Sequence, residues 1–142
     1  MQPVLFDTSI YITVLRAKED AALELRRMAA GAPVWLSAVV LDELYAGVSG
    51  KGRHAVERLE RDFKRARRMV VPNLRDWTQA GRMLARLAAK YDYERIGQGR
   101  LTNDALIASS AGRLVITANA RDFGRLAEFR AFSWRVEDVG KS

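Results

Sequence analysis

Four acidic residues stand at or just beyond the ends of apolar, strand-like runs, each inside its own short signature. Asp7 closes Val4-Leu5-Phe6-Asp7-Thr8-Ser9, and Glu43 lies in Leu36-Ser37-Ala38-Val39-Val40-Leu41-Asp42-Glu43-Leu44. Asp104 lies in Leu101-Thr102-Asn103-Asp104-Ala105-Leu106-Ile107-Ala108, and Asp122 in Val115-Ile116-Thr117-Ala118-Asn119-Ala120-Arg121-Asp122-Phe123. Gathered in one pocket, these side chains offer hard oxygen donors of the kind that suit Mg²⁺ or Mn²⁺. Crowded carboxylates repel one another and raise one another's pKa, so such a cluster calls for a cation. A divalent ion lowers the pKa of a coordinated water and draws charge from a phosphorane-like transition state. Two ions about 4 Å apart divide attack and departure between them.

On this reading Asp7 and Asp104 are metal ligands, and Glu43 holds a metal-bound water or a second ion. Asp122 completes the site directly or through water. Thr8 and Ser9 offer hydroxyl and N–H groups beside the phosphate. Thr117 and Asn119 orient Asp122 or a metal-bound water from behind. Asp104, placed near a helix N-terminus, gains from the helix dipole. Each acid alone has an ordinary reading: Asp7 as a helix cap, Glu43 and Asp42 as surface charges, Asp122 as a solvated helix charge. The four together are far more specific.

Something must bring these distant positions together. Pro3 to Phe6, Pro33 to Leu36, Met69 to Val71, Leu114 to Thr117 and Phe132 to Val136 read as short strands. Helices are expected between them: Ile10 to Arg16 capped by Thr8 or Ser9, Glu19 to Ala30, and Ser37 to Tyr45 with Ser37 as cap. Further helices are expected over Lys51 to Arg68, over Asp76 to Tyr91, from Thr102 as cap to Ala111, and over Asp122 to Ala127. In the 76–91 segment Trp77, Ala80, Leu84, Leu87, Ala88 and Tyr91 form one apolar stripe; Trp35, Trp77 and Trp134 are also of the type that stacks on bases, but Trp77 fits the core stripe better. Gly97-Gln98-Gly99 reads as a loop, too short for a phosphate-binding fingerprint.

Alternating strands and helices imply a three-layer α/β/α sandwich with a central, mostly parallel sheet. Every strand then ends at one common edge, where ligands bind in open sheets. No repeat or linker divides the chain, so residues 1–142 read as one domain.

Composition narrows the chemistry. There is no cysteine and one histidine, His54. Thiolate nucleophiles, cysteine–zinc sites, a two-histidine ribonuclease mechanism and a serine–histidine triad are all disfavoured. The lack of cysteine suits a cytoplasmic location. No run is apolar enough to span a bilayer, and no signal peptide is read. The net charge is +7, and Lys51 to Arg68 alone holds eight basic and three acidic residues. A basic globular domain raises the expectation of a nucleic-acid partner. The Lys51–Arg68 run reads equally as a solvated helix face.

The four signatures, in this order, resemble those of the PIN-domain ribonucleases, and within them the VapC-type toxins of bacterial toxin–antitoxin pairs. Leu5-Phe6-Asp7-Thr8-Ser9 is similar to the family's first motif, Ser37 through Glu43 to Gly47 to its second, Asn103 to Ala108 to its third and Thr117 to Phe123 to its fourth. Asp7, Glu43 and Asp104 match directly. The fourth acid of the family falls at Asn119 in some members and at Asp122 in others. The resemblance implies an α/β/α fold, Mg²⁺ or Mn²⁺ as cofactor, and cleavage of single-stranded or looped RNA, with transfer-RNA and ribosomal loops as natural targets. It also implies a homodimer inhibited by a cognate antitoxin, a segment of which crosses the active-site groove. Two rivals are a nucleic-acid-binding module of the same fold without catalysis, and a DNA flap nuclease, against which the short chain argues.

Overall fold

The computed structural model describes residues 2–17, 21–91 and 99–137. Among them five strands alternate with seven helices. Strand β1 (Val4–Phe6) leads into α1 (Thr8–Arg16) and α2 (Ala21–Ala29), and β2 (Val34–Ser37) into α3 (Ala38–Gly47) and α4 (Lys51–Ala66). Then β3 (Met69–Val70) precedes α5 (Leu74–Tyr91) and α6 (Gly99–Ser110), β4 (Leu114–Thr117) precedes α7 (Ala120–Ala127), and β5 (Trp134–Val136) closes the sheet.

The strand order is β3-β2-β1-β4-β5, and every pairing is parallel. The chain therefore steps outward twice from β1, returns across it, and steps outward on the other side. Right-handed crossovers place α1 to α4 on one face and α5 to α7 on the other. Packing agrees: α1 meets α2 and α3, α3 meets α4, and α6 meets both α5 and α7. The reversal falls between β1 and β4, where Leu5 is in register with Val115 and Phe6 with Ile116. A crevice opens beyond the strand ends at such a reversal.

The sheet is covered on both faces, so its central strands are apolar throughout. Val4, Leu5 and Phe6 are all buried, as are Val115 and Ile116. Ile10, Tyr11, Leu36, Leu44, Leu106, Ile107, Phe123 and Leu126 complete a continuous core around them. The short strands and the switch from unbroken to helical apolar spacing made the succession of strands and helices along the chain legible.

Several local expectations give way. Asp7, rather than Thr8 or Ser9, caps α1, because its carboxylate reaches the backbone N–H of Ile10. Ser37 caps α3 as expected, accepting from Val39 at 3.1 Å. Thr102 caps nothing: α6 already begins at Gly99, so Asp104 sits in the second turn, where the dipole is weaker. Gly97 and Gln98 lie outside the described residues. Trp77 is not in the core but 54% exposed. The core-facing stripe of α5 runs through Ala80, Met83 and Leu87, which turns Trp77 outward. No helix among the described residues is long and apolar enough to cross a membrane.

Candidate active site

The centre of the site is built where β1 and β4 end side by side. Asp7 is 2% exposed. Its Oδ1 accepts from Ser9 Oγ at 2.5 Å and from the Ile10 N–H at 3.4 Å, and its Oδ2 accepts from Thr117 Oγ1 at 2.8 Å. Both hydroxyls are themselves pinned from the β4 side. The Ala118 N–H donates to Ser9 Oγ at 3.0 Å, and the Asn119 N–H to Thr117 Oγ1 at 2.9 Å. Two short relays thus clamp one carboxylate between strands that are adjacent in space and far apart in sequence. Burial pushes the Asp7 pKa above the ordinary carboxylate value, and these hydrogen bonds oppose the shift without cancelling it.

Glu43 arrives from the other side on α3. Val39, Val40 and Leu44 bury the inner face of that helix, which leaves Glu43 half-buried at its border. The Thr8 hydroxyl donates to Glu43 Oε1 at 2.7 Å and ties α1 to α3. Asp104 projects from α6, a helix whose neighbours Leu101, Ala105, Leu106, Ile107 and Ala108 are all buried, and is itself only 5% exposed.

Asp7, Glu43 and Asp104 line one pocket of about 470 Å³, together with Thr8, Ser9, Asn103 and Asn119. Three of the four expected acids therefore come together. Asp122 does not reach the wall; its Oδ2 accepts from Asn119 Nδ2 at 3.0 Å, and its N–H donates to Asn119 Oδ1 at 3.3 Å. Its link to the pocket runs through Asn119, which caps α7. Two lining residues carried no earlier assignment as ligands. Asp42, read as a surface charge, is exposed yet forms part of the rim, as does Asn103 beside Asp104. The signal for Asn103 was its place next to an acid on the same helix turn.

These side chains suit a hard divalent ion: carboxylate, amide and hydroxyl oxygens, with no sulfur or imidazole among them. Among the described residues no three acidic or histidine side chains are grouped closely enough to hold one ion unaided. An ion here would complete its shell with water and substrate oxygens, as Mg²⁺ ordinarily does.

Residues 4–128 match the PIN domain. The chain belongs to the PIN domain family. Several solved structures share this PIN fold. The VapBC2 complex from Rickettsia felis, bound to a DNA fragment from its promoter, is 23% identical, with 96% of this chain and 99% of that chain covered and a TM-score of 0.68. DNA-bound VapBC from Salmonella typhimurium is 21% identical, with 96% and 98% covered and a TM-score of 0.67. VapBC-5 from Mycobacterium tuberculosis, of the VapBC family of toxin-antitoxin systems, is 23% identical, with 98% and 100% covered and a TM-score of 0.57. At these identities the likeness is one of fold. No curated protein matches the chain.

A second cavity of this PIN domain, about 890 Å³, shares no residue with the acid pocket. It is an apolar trough between α1, α2 and α4, lined by Leu15, Leu25, Leu59 and Phe63 among others, and has no carboxylate but Asp62.

Proposed function

We propose that this PIN domain is a metal-dependent endoribonuclease, the toxin of a toxin–antitoxin pair. The observation that carries the reading is the convergence of Asp7, Glu43 and Asp104, from three distant segments, on one pocket at the sheet reversal. Mg²⁺ or Mn²⁺ would be held by Asp7 and Asp104, with Glu43 and Asn119 close by. Bound there, the ion supplies a water of lowered pKa and neutralises charge building on the phosphate.

The chain's own residues do the rest. Thr117 and Ser9 fix both oxygens of Asp7, so its orientation is set before substrate arrives. Thr8 holds Glu43 by Oε1 and keeps α3 at a constant distance from α1. Asp122 fixes the Asn119 amide and so supports the pocket from behind. The net charge of +7 on the chain favours approach of a polyanion although the pocket itself is negative.

Exposed single-stranded loops, as in transfer or ribosomal RNA, are the natural substrates, because their bases can be splayed and read. The likeness to VapBC complexes supports a cognate antitoxin as partner, and the same reading includes a homodimer.

The test is incubation of partner-free protein with total cellular RNA in Mg²⁺, then with chelator, beside the Asp104→Asn variant. Discrete cuts that need both the ion and Asp104 are expected, with at least a hundredfold loss of rate in the variant, as for other groups that stabilise transition-state charge. Cleavage that persists in Asp104→Asn would sink the site assignment. Retained binding without cleavage by the parent protein would favour the non-catalytic rival.

A further inference from the structure

One side of α5 faces away from the core and carries no charge. Leu74, Trp77, Gly81, Ala85 and Ala88 recur at intervals of three and four, so they share that side of the helix. Ala80, Met83 and Leu87 face the core instead. Leu74 is 82% exposed and Trp77 54%, and Val71, just before the helix, is 70% exposed. The charged residues of α5, Arg75, Asp76, Arg82, Arg86 and Lys90, all fall outside this stripe at about 3.6 residues per turn. The stripe runs for about four turns in a chain of net charge +7, yet it offers no cation to a polyanion. Exposed apolar patches of this kind mark places where proteins meet.

The order of side-chain sizes along the stripe says which partner it takes. The N-terminal half carries the large residues, Leu74 and Trp77, and the C-terminal half the small ones, Gly81, Ala85 and Ala88. Two copies of the helix laid antiparallel about a two-fold axis at Gly81 set large against small twice: Trp77 meets Ala85 of the other copy, and Leu74 meets Ala88. Laid parallel, the two indoles would meet each other and the small residues would leave a void. A Cβ added at Gly81 meets nothing within 4 Å, so the crossing point is open. Both copies carry the same positive charge, and this is a face on which their arginines do not meet. Strand β3 is two residues long and Pro72 follows it, so the neighbouring sheet edge gives a partner strand little to pair with, and side chains carry the contact. Val71, Leu74, Trp77, Gly81 and Ala85 expose on the order of 500 Å² per copy, more than half of the roughly 800 Å² that each side of a standard interface contributes.

We infer that this face of α5 is where two copies of the chain pair, with Gly81 at the crossing and Trp77 seated over Ala85 of the other copy. The inference takes from the nuclease reading only its homodimer, not its chemistry. The chain has no cysteine, so an engineered one reports alone. Helices packed about 8–10 Å apart bring facing Cα atoms within the roughly 4–7 Å that a disulfide spans. Under mild oxidation Gly81→Cys is expected to link two copies, and Arg86→Cys, on the other side of α5, is not. By sedimentation the parent should have twice the 16.0 kDa mass of one chain. Trp77→Ala should weaken the dimer at least tenfold, as loss of a buried aromatic anchor does. Gly81→Arg, for which the single chain has room, should give monomers with an unchanged circular dichroism spectrum.

A monomeric parent, or a dimer unaffected by both Gly81→Arg and Trp77→Ala, would overturn the interface. So would a dimer that links through Arg86→Cys and not through Gly81→Cys. Failure of the nuclease reading looks different: the parent would link through Gly81→Cys and sediment as a dimer, yet cut no RNA in Mg²⁺. A monomeric parent that cuts RNA overturns the interface and leaves the nuclease chemistry standing.

Discussion

Asp7 performs two tasks that pull in different directions. As the cap of α1 and the acceptor for Ser9 and Thr117 it holds the strand ends together, and as a buried carboxylate it stands above its ordinary pKa. The sign of the consequence follows from proton counting. Below the ordinary value of 3.8 both folded and unfolded chains hold the proton. As pH rises through the interval up to the raised folded value, the unfolded chain releases it first, so stability falls across that interval. Asparagine caps helices as well as aspartate does; its Oδ1 keeps the Ile10 and Ser9 donors, and the Thr117 hydroxyl can rotate to accept from its Nδ2. In chelator, Asp7→Asn is therefore expected to melt higher than the parent at neutral pH. A rough gain of 1 kcal/mol corresponds to about 2–4 °C for a chain of this size. The gain should shrink toward zero as pH drops to about 4, while cleavage is lost at every pH. A lower melting temperature at neutral pH would show that the hydrogen bonds of Asp7 outweigh its desolvation. At this scale the sequence was informative about what Asp7, Glu43 and Asp104 are, because each sits in a fixed relation to an apolar run. It was less informative about Trp77, Asp42 and Asp122. A helical stripe has an arc, and spacing alone does not say where its border falls against the sheet.

Each element aims a small number of groups, and its caps decide how firmly. Ser37 is fully buried and closes the first turn of α3 through Val39, six residues before Glu43. Ser37→Ala should cost about 1 kcal/mol of stability by loss of a cap. It should also lower the rate more than it weakens RNA binding, since Glu43 loses its anchorage while the basic surface stays. Thermal melting and a separation of kcat from KM check this; an unchanged kcat would mean that Thr8 alone holds Glu43. Element boundaries were the less legible part. The α6 start at Gly99 lies three residues before the capping threonine that the pattern favours, because tertiary packing of Leu101 and Asp104 extends the helix. Strand order was not readable from the sequence either. Parallel pairing follows from alternation, but which strand is central depends on crossovers that local pattern does not encode.

The whole molecule sets a negative pocket inside a chain of net charge +7. Mg²⁺ that binds only the folded state should stabilise it by mass action, by about 2.7 kcal/mol at a hundredfold excess over Kd. The rise in Tm should vanish in an Asp7→Asn, Asp104→Asn double variant. An equal rise in that variant would place the ion elsewhere. The order β3-β2-β1-β4-β5 has one more consequence. Asp7 is made 110 residues ahead of its partner Thr117. The central strand waits, with one edge open, until β4 has left the ribosome. The clamp on the pocket closes only then. A nascent chain, or a fragment from a message broken upstream of β4, lacks the finished pocket, so whatever chemistry the pocket performs waits on the making of β4.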